Sequence, residues 1–349
     1  MCGADLTGAD ELAGLRKEYL LKQLKALAMH LGVLEGTRHS FDEESRELYD
    51  IEVPRYGEDH FKKIMEEVEA LVPEGEGTLL DRLERFRKDF IIPADKVADV
   101  FTAVIDEARK RTKKYIDLPG DESFDVEFVT DVSWGAYNWY KGNAHSLIQV
   151  NTDLPTYIDS PVGLAAHEGY PGHHVYNALL EQHLSKERGW VEYCVYPLYS
   201  PQSLIAEGTA NYGIELAFPA DERKKFEREV LYPLAGLDAS NADLYDRIAK
   251  LTKKLSYARM EAARLYLEGE ASAEEAADYL SRNALLSADR ARKLVDFFEQ
   301  FRTYIVNYYV GHDLIREYME GFGAESVEDR WTEFERILST PQVPSGLKK

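Results

Sequence analysis

The chain is poor in cysteine: its 349 residues contain only Cys2 and Cys194. Two cysteines cannot build the disulfide framework of a secreted scaffold, and they cannot supply the ligands of a cysteine-rich zinc module. Low cysteine usage is typical of proteins that work in a reducing compartment. We therefore expect a cytoplasmic location.

Long apolar runs are lacking too. No segment reaches the roughly 18 consecutive apolar residues that suggest a membrane-spanning helix. The N-terminal segment MCGADLTGADELAG has no basic flank and no apolar stretch. Cys2 is therefore a poor lipidation or secretion signal, and no membrane partner is expected.

Basic residues are scarce relative to acidic ones. The 63 acidic and 42 basic side chains leave a formal net charge of -21. Such a charge repels nucleic acid and anionic lipid and favours solubility, so no nucleic-acid partner is expected. The chain has 44% hydrophobic residues, which is enough to bury a sizeable core.

Helical periodicity dominates what is present. Apolar residues recur at helical spacing through residues 1–115, which we interpret as an N-terminal helical region packed on the core. Residues 116–349 would form the catalytic region, and the two would make one compact unit. Within the catalytic region, SAEE at Ser272 is a capping box, and the segments 239–269 and 287–320 are predicted as long helical runs.

A change to alternating β-branched and aromatic residues marks residues 122–151. The segments FDVEFVT, GAYNWY and SLIQVN are typical strands, and KGN between the last two is a hairpin turn signal. A small antiparallel sheet is therefore predicted immediately before the histidine cluster.

The most informative segment is HEGYPGHH, where His173 and His174 follow His167 by six and seven residues. On a continuous helix six residues turn a side chain by about 240°, and seven move it about 10.5 Å along the axis. Neither spacing lets both nitrogens lie about 2.1 Å from one zinc ion. Because Pro171 cannot continue a helix cleanly, we predict a bulge at Tyr170-Pro171 that ends one helical segment at Glu168. The bulge brings His173 beside His167, and His174 remains the alternative ligand.

A third ligand is expected from another helix, since catalytic zinc sites hold the ion with three protein groups and a water. In SPQSLIAEGTANYGIELAF, Ser200-Pro201 opens a helix whose apolar face carries Glu207. A carboxylate there needs a partner, either a metal ion or a buried arginine. We predict that His167, His173 and Glu207 hold one zinc ion per chain, although this ligand set also accepts other divalent metals.

Two further residues complete the predicted centre. Glu168 follows the first ligand and has the position of the general base that activates the metal water. Asn211 lies four residues after Glu207, on the same helical face, where it would hold a ligand histidine by a hydrogen bond. Helix packing or capping is the alternative role of Asn211.

Three segments resemble the bacterial family catalogued as domain of unknown function 885, namely HEGYPGHH, EGTANY and LSYARMEAARLY. The resemblance extends from Ser40 to the C-terminus. That family is in turn similar to the gluzincin zinc metallopeptidases, the all-helical group of thimet oligopeptidase, angiotensin-converting enzyme and carboxypeptidase Taq. The resemblance implies a mainly α, gluzincin-like fold and makes His173 the second ligand. The interrupted motif departs from the uninterrupted HExxH of those peptidases.

The resemblance also implies an oxyanion donor from a later helix, and Tyr257 in LSYARM matches it. Arg259, two residues on, is a candidate for binding a substrate carboxylate, with a surface salt bridge as the alternative. His145 lies at the start of a strand and could line the cleft. His312 in NYYVGHDLIREY is a similar candidate.

The function predicted from the sequence is a zinc-dependent hydrolase, best interpreted as a metallopeptidase that cleaves peptide bonds through a metal-activated water. Its partner would be a peptide or small amide, held in part by strand addition to residues 145–151. Two alternatives stay open: hydrolysis of non-peptide amides or esters, and a non-catalytic helical protein with a structural metal. The sequence leaves the oligomeric state open.

Overall fold

A computed structural model describes residues 9–132 and 134–348. Within these residues the chain is mainly helical and carries one three-stranded sheet. Cys2 and the rest of residues 1–8, which begin the segment considered as a signal, lie outside them. None of the described helices is both long enough and apolar enough to cross a bilayer.

The elements follow the chain in this order. The α-helices are α1 (Ala9–Leu34), α2 (Phe41–Tyr49), α3 (Glu58–Glu69), α4 (Leu79–Arg87), α5 (Val97–Thr112), α6 (Ser160–Glu168), α7 (His173–Leu180), α8 (Pro201–Ala217), α9 (Ala220–Phe226), α10 (Tyr232–Ala235), α11 (Ala242–Lys254), α12 (Ala258–Leu267), α13 (Ala273–Asn283), α14 (Ala288–Phe301), α15 (Ile305–Gly321), α16 (Val327–Ser339) and α17 (Pro344–Leu347). The strands are β1 (Ser123–Val129), β2 (Ala136–Gly142) and β3 (His145–Asn151). Short 3-10 turns span Lys88–Phe90, Ala94–Lys96, Val191–Cys194, Leu255–Tyr257 and Arg302–Tyr304, and π-helical turns span Glu181–Lys186 and Glu227–Leu231.

The sheet is mixed, so the prediction of an antiparallel sheet was wrong. The strand order is β1-β3-β2, with β3 antiparallel to β2 and parallel to β1. The KGN turn does form the β2–β3 hairpin, where Asn143 has φ 53°. Two chain reversals leave β1 and β3 running in the same direction. Because β3 alternates between buried and partly buried residues along its length, it takes the centre and β1 pairs with its free edge.

Several helix boundaries match local sequence signals. The capping box at Ser272 is present, and α8 begins at Pro201 directly after Ser200 as its N-cap. The predicted run 287–320 is broken, because Arg302 has a positive φ of 53° and ends α14. The run 239–269 is likewise interrupted by the 3-10 turn Leu255–Tyr257.

Helices α8 and α15 pack at unusually close range at the centre of the molecule. A Cβ added to Gly208 would lie 2.4 Å from the Gly311 carbonyl oxygen, and one added to Gly311 would lie 2.7 Å from the Leu204 carbonyl oxygen. Neither contact leaves room for a side chain. The two glycines therefore fix the separation of the helices, and Gly208 is the residue after Glu207.

We expect Gly208→Ala to lower the free energy of unfolding by about 1–3 kcal/mol, because the added methyl group must push α15 away. The same displacement should weaken metal binding at the adjacent Glu207. Urea denaturation and zinc titration measure the two effects. Gly14→Ala in α1 is the matched control, since a Cβ there meets no atom within 4 Å. If Gly208→Ala and Gly14→Ala had the same free energy of unfolding and the same zinc affinity, the proposed close packing would be contradicted.

Candidate metal centre

The HEGYPGHH segment breaks its helix where the sequence predicts. Helix α6 ends at Glu168, the peptide bond Tyr170-Pro171 is cis, and α7 begins at His173. A Cβ on Gly172 would lie 1.8 Å from the carbonyl oxygen of His167, so this position accepts only glycine. The chain therefore folds back tightly against the end of α6, and the predicted division into two helical segments is confirmed.

The break brings His167 and His173 together with Glu207 from α8. The imidazole rings lie 4.6 Å apart and almost perpendicular, at 88°. His167 Nε2 lies 3.1 Å from Glu207 Oε2, and His173 Nε2 lies 3.5 Å from Glu207 Oε1. One ligand atom from each residue falls within 4.8 Å of the others. We call these three residues the triad.

Electrostatics in the triad are strongly coupled. Burial by itself would lower the pKa of His167, but the adjacent Glu207 carboxylate outweighs it and raises the pKa to about 9. Burial would likewise raise the pKa of Glu207, yet His173 and His167 hold it well below its usual range. Both shifts favour an ionised Glu207 carboxylate, which can accept a positively charged partner.

The donor set fits a metal ion. Glu207 Oε2 is buried and accepts no hydrogen bond of normal geometry, although His167 Nε2 lies close to it. An ionised oxygen left in this way is costly unless a cation satisfies it. Two imidazole nitrogens and a carboxylate are the donors that catalytic zinc sites use, so the three residues suit a zinc ion.

Glu168 lies beside the triad on the wall of a large cavity. The cavity has a volume of about 2140 Å³ and is lined by the triad, Glu168, β2 and parts of α8, α11 and α15. Burial raises the pKa of the Glu168 carboxyl, the two triad histidines oppose this, and Glu207 adds to it. The Asn138 side chain donates to the Glu168 carbonyl oxygen at 2.7 Å and so fixes the end of α6. The structure thus puts a carboxyl group with raised pKa next to the possible metal position.

Asn211 lies one turn after Glu207, as the sequence predicts. Its side chain interacts with His167, and its Nδ2 donates to the Tyr308 carbonyl oxygen at 3.2 Å. The residue therefore connects α8, α6 and α15 at the triad. Its placement suits the predicted orientation of a ligand histidine, a role that stays a prediction.

Sequence reasoning missed the tyrosines of α15 and the turn before it. The Tyr304 hydroxyl donates to Glu207 Oε1 at 2.8 Å. Tyr308 is partly buried, and after burial the charges of Glu207 and Glu168 contribute most to raising its pKa. Tyr304, Tyr308 and His312 follow each other at four-residue intervals, which places them on one helical face. This four-residue spacing is the sequence signal from which the two tyrosines could have been predicted.

His174 points away from the triad and supports the sheet. It is buried, and its ring lies 2.8 Å from Ser146 Oγ through Nδ1 and 3.3 Å from Glu122 Oε2 through Nε2. Tyr170 and Arg109 also donate to the Glu122 carboxylate. The structure therefore brings His173, and not His174, to the possible metal position.

Acid is expected to weaken the Glu122 cluster. Burial opposes ionisation, but hydrogen bonds from His174, Tyr170 and Arg109 lower the pKa of Glu122 to about 2. A carboxyl group whose pKa falls on folding stabilises the fold above its unfolded pKa, and that contribution disappears as the pH falls from about 4.5 toward 2. Urea midpoints of the wild type and Glu122→Gln should therefore differ most at neutral pH and converge in acid. A difference that is independent of pH would contradict this.

The remaining predicted residues lie outside the triad. The Tyr257 hydroxyl donates to Asp313, and Arg259 Nη1 donates to the Tyr309 hydroxyl at 3.0 Å. His312 Nε2 lies 3.0 Å from Glu215 Oε1. These three predicted residues all line the cavity.

His145 does not line the cavity, contrary to the prediction. Its ring contacts Ser123 Oγ at 3.1 Å and Asp125 Oδ2 at 3.4 Å, both on β1. The parallel pairing of β1 with β3, which the sequence did not reveal, explains this position because it sets Ser123 directly beside His145.

Comparisons with known proteins show the fold alone. No protein-family model matches the chain, and no curated protein does. Among solved structures, the chain is similar to a protein from Colwellia psychrerythraea described as a "putative lipoprotein". The TM-score is 0.62 at 15% identity, and the alignment covers 88% of this chain and 53% of that one. The chain therefore shares its fold with a solved protein and spans about half of that protein's length.

Proposed function

We propose that this chain is a zinc-dependent hydrolase with a gluzincin-like fold, and that it cleaves peptide bonds. The observation that carries the proposal is the convergence of His167, His173 and Glu207 beside Glu168 on the wall of a large cavity. A structural zinc site is closed by four protein ligands, whereas a catalytic site keeps one position for water or substrate. Three protein ligands facing a cavity favour the catalytic alternative.

His167, His173 and Glu207 would hold the ion. When bound, the ion would supply Lewis acidity, which lowers the pKa of water and polarises a carbonyl group. The carboxylate of Glu168 would accept a proton from the attacking water, whose oxygen bonds to the carbonyl carbon. As the carbon–nitrogen bond breaks, Glu168 would pass this proton to the leaving amine.

A hydroxyl donor would stabilise the negative charge that develops on the carbonyl oxygen. Tyr257 stays a candidate for this role, but its hydroxyl group already donates a hydrogen bond to Asp313. Tyr308 is a second candidate, because it lines the same cavity as the triad and Glu168 and lies close enough to Glu207 and Glu168 to be affected by their charges.

Strand addition to residues 145–151 is ruled out by the sheet order, since β3 is paired on both sides. Both β1 and β2 are edge strands of this sheet, and β2 is the one beside the cavity, since Ala136, Tyr137 and Asn138 line it. An extended peptide could pair with this edge through its main chain. The proposed peptide-binding strand is therefore β2.

Hydrolysis assays with the zinc-loaded protein test the proposal. A mixed peptide library and a panel of small esters and non-peptide amides would be incubated in parallel, and products identified by mass spectrometry. The proposal predicts cleaved peptides and loss of cleavage on chelation. Cleavage of the esters or small amides alone would support the second hydrolase class instead, and zinc binding without any hydrolysis would support a structural metal.

A further inference from the structure

The cavity wall carries positive charge although the chain as a whole is acidic. Among the described residues, the wall has 12 basic and 8 acidic side chains, which give it a formal net charge of +4. The whole chain has a formal net charge of -21, so the rest of the chain carries -25. Positive charge is therefore concentrated on the wall that also holds the triad and Glu168.

Most acidic residues of the wall are already engaged. Glu207 and Glu168 belong to the proposed metal centre. Four others each pair with a basic residue of the same wall, namely Glu215, Glu227, Asp243 and Asp246. Such pairs cancel one positive charge with one negative charge. The positive surplus therefore comes from basic residues that have no carboxylate partner.

Five basic residues of the wall lie more than 4.0 Å from every carboxylate oxygen of the described residues. These residues, which we call the unpaired cations, are Arg87, Lys254, Arg259, Arg290 and Arg330. Three of them donate hydrogen bonds to uncharged oxygen atoms, those of the Thr252 and Tyr309 hydroxyl groups and the Pro155 carbonyl group. The chain itself thus leaves five positive charges on the wall without a negative partner.

The unpaired cations and the proposed peptide-binding strand lie on different elements of the wall. The cations come from helices α4, α11, α12, α14 and α16. Strand β2 and the two residues before it contribute uncharged side chains, including Trp134, Tyr137 and Trp139. A peptide held at β2 through its main chain keeps its own side chains available for other contacts. The charged groups that those side chains can reach are predominantly basic.

We propose that the cavity selects acidic peptides, whose aspartate and glutamate side chains contact the unpaired cations. The inference rests on the proposed peptidase function. A cleft lined by one sign of charge raises the local concentration of an oppositely charged ligand, and guanidinium groups form strong hydrogen bonds with carboxylates. Negative charges elsewhere on the chain weigh less, because salt screens exposed charges beyond roughly 10 Å. The unpaired cations are then specificity-determining residues.

The first experiment measures binding without turnover. Glu168→Gln protein in the presence of zinc is dialysed to equilibrium against three peptides of one length with acetylated N-termini and amidated C-termini. The peptides carry aspartate and glutamate, asparagine and glutamine, or lysine at the same positions. We expect the acidic peptide to bind about 10–100-fold more tightly than the asparagine and glutamine peptide, since several exposed ion pairs act together. The lysine peptide should bind most weakly, and the preference should shrink as salt is added.

Equal binding of the three peptides, or tightest binding of the lysine peptide, would overturn the proposal. Blocked termini ensure that only side-chain charge differs between the peptides. A field set by the whole chain, with its formal net charge of -21, would favour the lysine peptide. The order of the three affinities therefore distinguishes the local charge of the wall from the charge of the chain.

A double variant tests whether the wall is responsible. Lys254→Gln combined with Arg330→Gln removes two exposed side chains that have no carboxylate partner, and it should reduce the acidic preference about 3–10-fold. Arg38→Gln combined with Lys62→Gln is the matched control, since both side chains are exposed and neither lines the cavity. The control should leave the preference within about twofold of the parent. An equal effect of the two double variants would show a general charge effect and overturn the assignment to the wall.

A single-stranded oligonucleotide with as many negative charges as the acidic peptide enters the same dialysis. Weaker binding of the oligonucleotide would support a peptide ligand. Tighter binding, reduced by the Lys254 and Arg330 double variant, would overturn the proposal in favour of a nucleic-acid ligand.

The second experiment measures hydrolysis of the same peptides by the zinc-loaded wild type. The acidic peptide should have a kcat/KM about 10–100-fold higher than that of the asparagine and glutamine peptide, mainly through a lower KM. Equal or faster cleavage of the asparagine and glutamine peptide would overturn the proposal. Acid-selective binding that depends on Lys254 and Arg330, together with no hydrolysis of any peptide, would retain the specificity of the cavity and reject the peptidase function.

Discussion

Replacing Glu168 by glutamine is expected to leave zinc bound and to reduce hydrolysis by about 10²–10⁴-fold, the contribution typical of a positioned general base. The substitution keeps the shape of the side chain and removes its ability to accept a proton. Glu168 is buried beside the triad, but its carboxylate is not among the three groups that converge on the possible metal position. Elemental analysis and turnover of a cleaved peptide, measured on the same preparation, separate metal loss from loss of chemistry.

Glu215→Gln is the control for this substitution. Glu215 lies on α8 and also lines the cavity, where it contacts His312 at 3.0 Å. The control should keep both zinc and turnover within a few-fold of the wild type. Full activity of Glu168→Gln would remove Glu168 from the mechanism, whereas loss of zinc would make it a ligand.

Replacing His173 by alanine is expected to abolish stoichiometric zinc binding, while replacing the adjacent His174 is expected to preserve it. The two side chains differ in direction: His173 Nε2 faces Glu207, and His174 is held between Ser146 and Glu122. Losing one of three protein ligands removes a large part of the metal affinity. Zinc content after dialysis against a weak chelator, measured by elemental analysis, compares the variants.

His174→Ala should instead act on stability. Removing the imidazole leaves Ser146 Oγ and the buried Glu122 carboxylate short of one partner, which should lower the free energy of unfolding by about 1–3 kcal/mol. Chemical denaturation of both apo variants measures this. Zinc loss in His174→Ala with retention in His173→Ala would reverse the ligand assignment.

Local chemistry made the break at HEGYPGHH predictable from sequence. Pro171 has no N–H group to donate to the helix, and at Gly172 a side chain would collide with the His167 carbonyl oxygen. Both residues therefore mark the end of α6. The start of α8 at Pro201 follows from similarly local rules. The triad was predictable because two of its members flank this break.

Contacts between distant segments were not predictable in the same way. Tyr304 reaches Glu207 across 97 residues, and the parallel pairing of β1 with β3 depends on which strand is more deeply buried. The hydrogen bond from the Tyr257 hydroxyl to Asp313 depends on how the 3-10 turn before α12 packs against α15. These features arise from tertiary packing, which periodicity and capping signals do not encode.

A crystal structure of the zinc-loaded protein, with anomalous diffraction collected on both sides of the zinc absorption edge, tests the central claim most directly. We predict a single anomalous peak whose protein ligands are His167 Nε2, His173 Nε2 and the Glu207 carboxylate, with Glu168 beside the ion but outside its ligand set. A peak at any other group of residues, or no peak at the triad after zinc loading, would contradict the metal centre and the hydrolase built on it.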